Sequence, residues 1–147
     1  MINNIRFSAI FTIIFLSIVL FNSSISKAQN APSLSASLNK KSYSQGESGV
    51  LTLSFKTSSK VKIPKEPGID LTLTTNDIEG QGLQDYSEGE GDYISNSKVK
   101  YNFTVNSSAA SGSYITVSGS VKFGFCTTSD GVCKLATKNF SVKAKIK

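Results

Sequence analysis

The chain has 147 residues, a formal net charge of +6, and neither His nor Trp. That length accommodates one domain. The lack of His removes the commonest general base and metal ligand, and two cysteines alone make an incomplete zinc site. The lysines are scattered along the sequence rather than gathered into a patch, which excludes a nucleic-acid footprint; no nucleophile–base pair for hydrolysis is visible, and no cofactor or metal is expected.

Residues 1–28 read as a secretory signal peptide. Arg6 supplies the positive charge, Phe7 to Phe21 is an almost unbroken apolar run, and Ser26-Lys27-Ala28 gives small residues one and three places before Gln29. The run is shorter than the roughly 20 residues that span a bilayer, so cleavage is expected rather than a retained anchor. Loss of Arg6 and Lys27 lowers the net charge of the mature chain from +6 to +4 and leaves it without arginine. The destination is therefore exported, periplasmic or secreted, where a cysteine pair is expected to oxidise.

Residues 29–33 read as a short tether, and 34–147 as one domain. Within it the apolar residues recur with a period of two, the mark of strands with one buried face. Leu34, Ala36 and Leu38 alternate with serines, and Tyr43 to Ser48 reads as a turn around Gly46. Leu51, Leu53 and Phe55 follow. Val61 and Ile63 make a short strand stopped by Pro64, and Pro67-Gly68 marks another turn. Ile69, Leu71 and Leu73 alternate again. Residues 76–97 break the rhythm: they hold four glycines, Tyr86 and Tyr93, and the acidic residues Asp77, Glu79, Asp85, Glu88, Glu90 and Asp92. An irregular segment of that length inside a small domain is commonly functional, although solvated surface is the plainer reading of its charge. Alternation resumes at Val99, Tyr101, Phe103 and Val105, then from Ile115 to Phe125, and finally from Phe140 to Ile146. About seven short strands with no helix predict an all-β, immunoglobulin-like antiparallel β-sandwich. The core Trp and the inter-sheet cysteine spacing of antibody domains are absent.

Cys126 and Cys133 flank Asp130-Gly131, a strong turn signal between two alternating segments, so 114–126 and 133–146 are expected to form an antiparallel hairpin. Core positions are odd-numbered before the turn and even-numbered after it. If Cys126 lies opposite Cys133, Val117 meets Val142 and Gly119 meets Phe140, core against core. Both cysteines then fall on the other face, side by side. Directly opposed residues stand about 4.5–5.5 Å apart, which suits a disulfide. Such a bond joins strands already held together. The chain-entropy relation gives it about 2.5 kcal/mol for an eight-residue loop. Spacing alone leaves two roles open, a structural staple and an exchanging bond.

The segments Lys100-Tyr-Asn-Phe-Thr-Val-Asn106, Gly112 to Cys126 and Asp130-Gly-Val-Cys133 resemble the N-terminal periplasmic domain of the thiol–disulfide interchange protein DsbD. That family has an immunoglobulin-like fold and a strand–Cys–turn–Cys–strand arrangement. The resemblance implies that Cys126 and Cys133 are an active pair that passes reducing equivalents between exported proteins. It also implies a cap loop over the sulfurs, for which Asp85 and Tyr86 in Gln84-Asp85-Tyr86-Ser87-Glu88 are the candidates. Tyr86 would exclude solvent, and the Asp85 carboxylate would disfavour a thiolate by like-charge repulsion. The chain departs from the family in having six residues between the cysteines rather than five, and Lys134-Leu-Ala where an aromatic–proline run is usual. With no membrane or thioredoxin-like domain in the sequence, the implied electron donor is a separate membrane-embedded or thioredoxin-like redox protein and the acceptor an exported disulfide protein. The rival expectation is a non-enzymatic secreted binding domain in which the disulfide is structural.

Overall fold

A computed structural model describes residues 31–83, 91–94 and 98–147; the signal-peptide expectation for 1–28 lies outside them. Nine strand segments occur in the order β1 (Ser33–Leu38), β2 (Ser42–Tyr43), β3 (Ser48–Lys56), β4 (Val61–Lys62), β5 (Ile69–Leu73), β6 (Ile78–Leu83), β7 (Lys98–Val105), β8 (Tyr114–Thr127) and β9 (Cys133–Ile146). They form two sheets, one ordered β1-β3-β7-β6 and the other β2-β9-β8-β4, with β5 also paired to β8.

This is an immunoglobulin-like sandwich by strand order. The first sheet reproduces the A-B-E-D arrangement, and the second places G, F and C side by side. β1 and β2 together serve as the first strand: β1 pairs antiparallel with β3, and the chain then crosses to run parallel to β9. β4 and β5 share one position along β8, separated by the segment that holds Pro64 and Pro67. Proline has no N–H to give a ladder, which explains why this strand is interrupted where it is.

The alternating residues face one another across the two sheets. Leu51, Leu53 and Phe55 of β3, Val99, Phe103 and Val105 of β7, and Val117, Val121 and Phe123 of β8 are all buried. Phe55 and Phe123 join the sheets edge to face, with ring centroids 4.8 Å apart, a geometry that aromatic quadrupoles favour. Gly119 is needed for close approach: a Cβ there would lie 2.3 Å from the Thr72 carbonyl oxygen on β5.

Two readings of the sequence require correction. The segment 76–97 is not irregular throughout, because 78–83 forms β6, which pairs antiparallel with β7. Its signal was hidden because Glu79 to Gly82 carry no apolar alternation and its register shifts between Gly80 and Gly82. Gly80 accommodates the Tyr101 hydroxyl, which would stand 1.8 Å from a Cβ at that position. The turn around Gly46 is present, with Gly46 at φ 70°, but Tyr43, read as its first residue, ends β2 and is fully buried. The phenol of Tyr43 donates to Asn39 Oδ1 at 2.8 Å and accepts from the Lys40 N–H at 3.2 Å. Asn39 Oδ1 also receives the Val50 N–H at 2.8 Å. One buried tyrosine thereby ties the crossover between sheets, a role that period-two alternation cannot reveal.

Candidate functional site

The β8–β9 hairpin has the register expected from parity. Cys126 pairs with Cys133, Val117 with Val142 and Gly119 with Phe140. The cysteines form a disulfide with S–S 2.05 Å and Cα–Cα 4.0 Å. Thr127 N–H donates to the Val132 carbonyl at 3.0 Å, so residues 127 and 132 are a hydrogen-bonded pair. Ladder pairs alternate, which makes Cys126–Cys133 the closer, non-hydrogen-bonded kind. The bond lies at the hairpin end, on the face turned away from the core.

The turn beyond it is fixed by Asp130. Asp130 Oδ1 accepts from the Thr127 hydroxyl and, at 3.2 Å, from the Val132 N–H. Gly131, at φ 66°, donates its N–H to the Thr127 carbonyl at 3.0 Å. The positive φ is cheap for glycine and costly for other residues. The Thr127 hydroxyl above all, then the backbone N–H of Val132, hold the Asp130 carboxyl below its ordinary range.

The two cysteines differ in exposure: Cys126 is 4% exposed, whereas Cys133 is an exposed residue. Two features cover Cys126. On one side β4 pairs along β8, setting Lys62 directly opposite Cys126. On the same outer face, Pro64 and Pro67 close over Gly124; a Cβ on Gly124 would lie 3.4 Å from each ring. A shallow cleft of about 190 Å³ opens beside the disulfide, lined by Pro64, Glu66, Pro67, Gly124, Lys134 and Leu135 as well as both cysteines. Pro67 and Leu135 also border a second cleft of about 240 Å³ that runs toward Asp70 and Lys122. Leu135, two residues from Cys133 on the same face, is 61% exposed.

Residues 91–94, the end of the acidic glycine-rich stretch, reach this neighbourhood. Tyr93 bridges to Pro64, the Lys65 N–H donates to the Asp92 carbonyl at 2.7 Å, and the Ile94 N–H donates to the Ile63 carbonyl at 3.0 Å. Lys62 Nζ stands 5.2 Å from the centroid of the Tyr93 ring, within cation–π range. The cap candidates Asp85 and Tyr86 lie outside the described residues. Sequence reasoning missed Lys62, Leu135 and the two prolines. Alternation places Lys62 and Leu135 on outer faces, but nothing local says that either stands beside a sulfur.

No group of three or more potential metal ligands occurs among the described residues, and no helix among them is long and apolar enough to cross a membrane. No family model and no curated protein matches the chain. Among solved structures it is similar to the major pilin subunit of Bacillus cereus, with 13% identity and a TM-score of 0.45 over 80% of this chain and 40% of the pilin. It is also similar to the sixth cohesin of scaffoldin B from Acetivibrio cellulolyticus, solved with a dockerin, with 18% identity and a TM-score of 0.38 over 80% of this chain and all of the cohesin. The chain thus spans well under half of the pilin it matches, and the fold assignment rests on strand order rather than on these likenesses.

Proposed function

We propose that the domain is an exported thiol–disulfide exchange module that relays reducing equivalents between periplasmic proteins through Cys126 and Cys133. The observation that carries this reading is the position of the disulfide: it lies outside the core, on the outer face of one sheet, between a buried cysteine and an exposed one. A bond between two strands already zipped by a ladder adds little as a staple, about 2.5 kcal/mol.

The asymmetry sets the order of events. A donor thiolate attacks Cys133 Sγ, forms a mixed disulfide there and expels Cys126 as a thiolate, which takes up a proton. A second donor thiol then attacks the mixed disulfide, leaves the donor oxidised and releases Cys133 reduced. The two electrons pass on when the reduced pair attacks the disulfide of an exported acceptor. The donor is a thioredoxin-like or membrane-embedded redox protein. With no His and no CxxC at a helix start in the chain, the domain is a relay rather than a strong independent catalyst.

The test is the reduction potential of the pair, obtained by equilibrating mature protein in glutathione or dithiothreitol buffers and counting free thiols. A value in the range of about −180 to −270 mV supports the relay. A value below about −300 mV, together with loss of the fold on reduction, overturns it.

The second reading is a non-enzymatic binding domain with a structural disulfide. Leu135, exposed by 61%, favours it, because it presents apolar surface that lines both clefts. Under that reading the protein holds its partner equally well with the pair oxidised or reduced.

A further inference from the structure

We infer that Lys62 is the charge that receives the Cys126 thiolate when the disulfide is opened, and so directs which sulfur leaves. This inference deepens the exchange reading and rests on it for its biological purpose. The property it assigns, a stabilised thiolate, is measurable whatever the protein does in the cell.

Three observations carry it. Lys62 is the β4 partner of Cys126, and Cys126 is the β8 partner of Cys133, so the three side chains stand in one row on one face. Cys126 is 4% exposed. A thiolate formed there is poorly hydrated and needs a neighbouring cation, because burial disfavours the charged form. Finally, Lys62 is exposed to solvent, but its ammonium stands 5.2 Å from the centre of the Tyr93 ring rather than pointing away from the row. Tyr93 is itself fixed by its bridge to Pro64. A neutral disulfide gives Lys62 nothing better than the ring. A thiolate on the neighbouring strand is a full negative charge at the register position opposite Lys62.

The other described charges around Cys126 do not supply this. Lys134, next to Cys133 on β9, also lines the cleft with both cysteines, but its ladder partner is Phe125 rather than Cys126, so it does not stand in their row. Glu66 lines the cleft from the proline segment and opposes a thiolate, as does Asp130 from the turn. Lys62 is therefore the described cation aligned with Cys126 and set against these two carboxylates. The step balances without a further reactant: the partner thiolate bonds to Cys133 Sγ, the Cys126–Cys133 bond breaks, and its electron pair stays on Cys126. A leaving thiol of lower pKa departs faster.

The experiment follows Cys126 directly. In the Cys133→Ser protein the ultraviolet absorbance of the Cys126 thiolate is titrated against pH, with Lys62 present, in Lys62→Ala and in Lys62→Arg. Circular dichroism checks that each variant is folded. In parallel, the intact disulfide proteins are reduced with dithiothreitol alone and the rate is recorded. Lys62→Ala is expected to raise the thiol midpoint and slow reduction by about three- to tenfold. Lys62→Arg is expected to restore both, and added salt to reduce the difference. Lys134→Ala is expected to change either quantity by less than about twofold. An unchanged midpoint and rate in folded Lys62→Ala, or an equal effect in Lys134→Ala, overturns the assignment. If the potential of the pair lies in the exchange range and Lys62→Ala changes nothing, the relay stands and Lys62 falls. If the midpoint moves but the potential lies below about −300 mV, the relay falls and the charge pairing stands.

Discussion

A relay must survive both of its redox states, and the hairpin geometry states how much stability is at stake. Cys126 and Cys133 are separated by seven positions and paired across one ladder. Opening the bond therefore returns to the unfolded chain only the closure entropy of an eight-residue loop, about 2.5 kcal/mol. The core is untouched, because the buried clusters of β3, β7 and β8 do not depend on the sulfurs. For a domain of this size each kcal/mol corresponds to roughly 3–6 °C in melting temperature. The reduced protein should thus melt about 8–15 °C lower and keep its strand signal at 25 °C. The same difference places the potential of the folded pair about 50 mV below that of the unfolded chain, since about 30 mV corresponds to 1.4 kcal/mol for two electrons. Urea unfolding of oxidised and reduced protein, followed by circular dichroism, measures the gap. A difference above about 4 kcal/mol, or unfolding on reduction alone, would refute the reasoning, because the bond would then be holding structure that the loop entropy does not account for.

Three further outcomes are expected. Leu135→Ser should leave stability within about 0.5 kcal/mol of the parent, as befits an exposed side chain. It should slow exchange with a thioredoxin-like protein while leaving reduction by dithiothreitol unchanged; equal slowing by both reductants would show that Leu135 is not a partner contact. Gly119→Ala should destabilise by about 2–3 kcal/mol in urea, because the new methyl group meets the Thr72 backbone and the Phe140 ring. A neutral result would mean that β5 is not held against β8 as described. For Asp130, whose folded carboxyl is depressed chiefly by the Thr127 hydroxyl, the sign is that of a group contributing stability above its ordinary pKa. That contribution disappears as pH falls through the lower folded value. In Thr127→Val an NMR titration should find the Asp130 midpoint moved up toward the ordinary aspartate value, and an unmoved midpoint would contradict the assignment.

Much of the hairpin was legible because its determinants are local. Period-two alternation fixes which residues of β8 and β9 face the core. An odd pairing sum keeps core against core, and Asp130-Gly131 supplies a turn short enough to bring the two cysteines opposite each other. These constraints act within about 35 residues of chain and need no knowledge of the other sheet. Tyr43 and β6 were not legible for the converse reason. Tyr43 is buried because the chain crosses between sheets at that point, and β6 shows no apolar alternation after Ile78, its pairing with β7 being set by the ladder.

By itself, then, the sequence determined an all-β sandwich and a cysteine pair set outside its core, since side-chain alternation and turn chemistry are properties of neighbours along the chain. The tertiary structure decided what surrounds that pair. Lys62 lies 64 positions before Cys126 in the sequence, and the prolines and Tyr93 are also remote; only the pairing of β4 with β8 brings Lys62 and the prolines to the disulfide, and only the bridge of Tyr93 to Pro64 brings Tyr93 to Lys62. The difference in exposure between Cys126 and Cys133 has the same origin, because β8 is covered by β4 and the proline segment, while among the described residues β9 gains a partner on its other side only where β2 joins its far end.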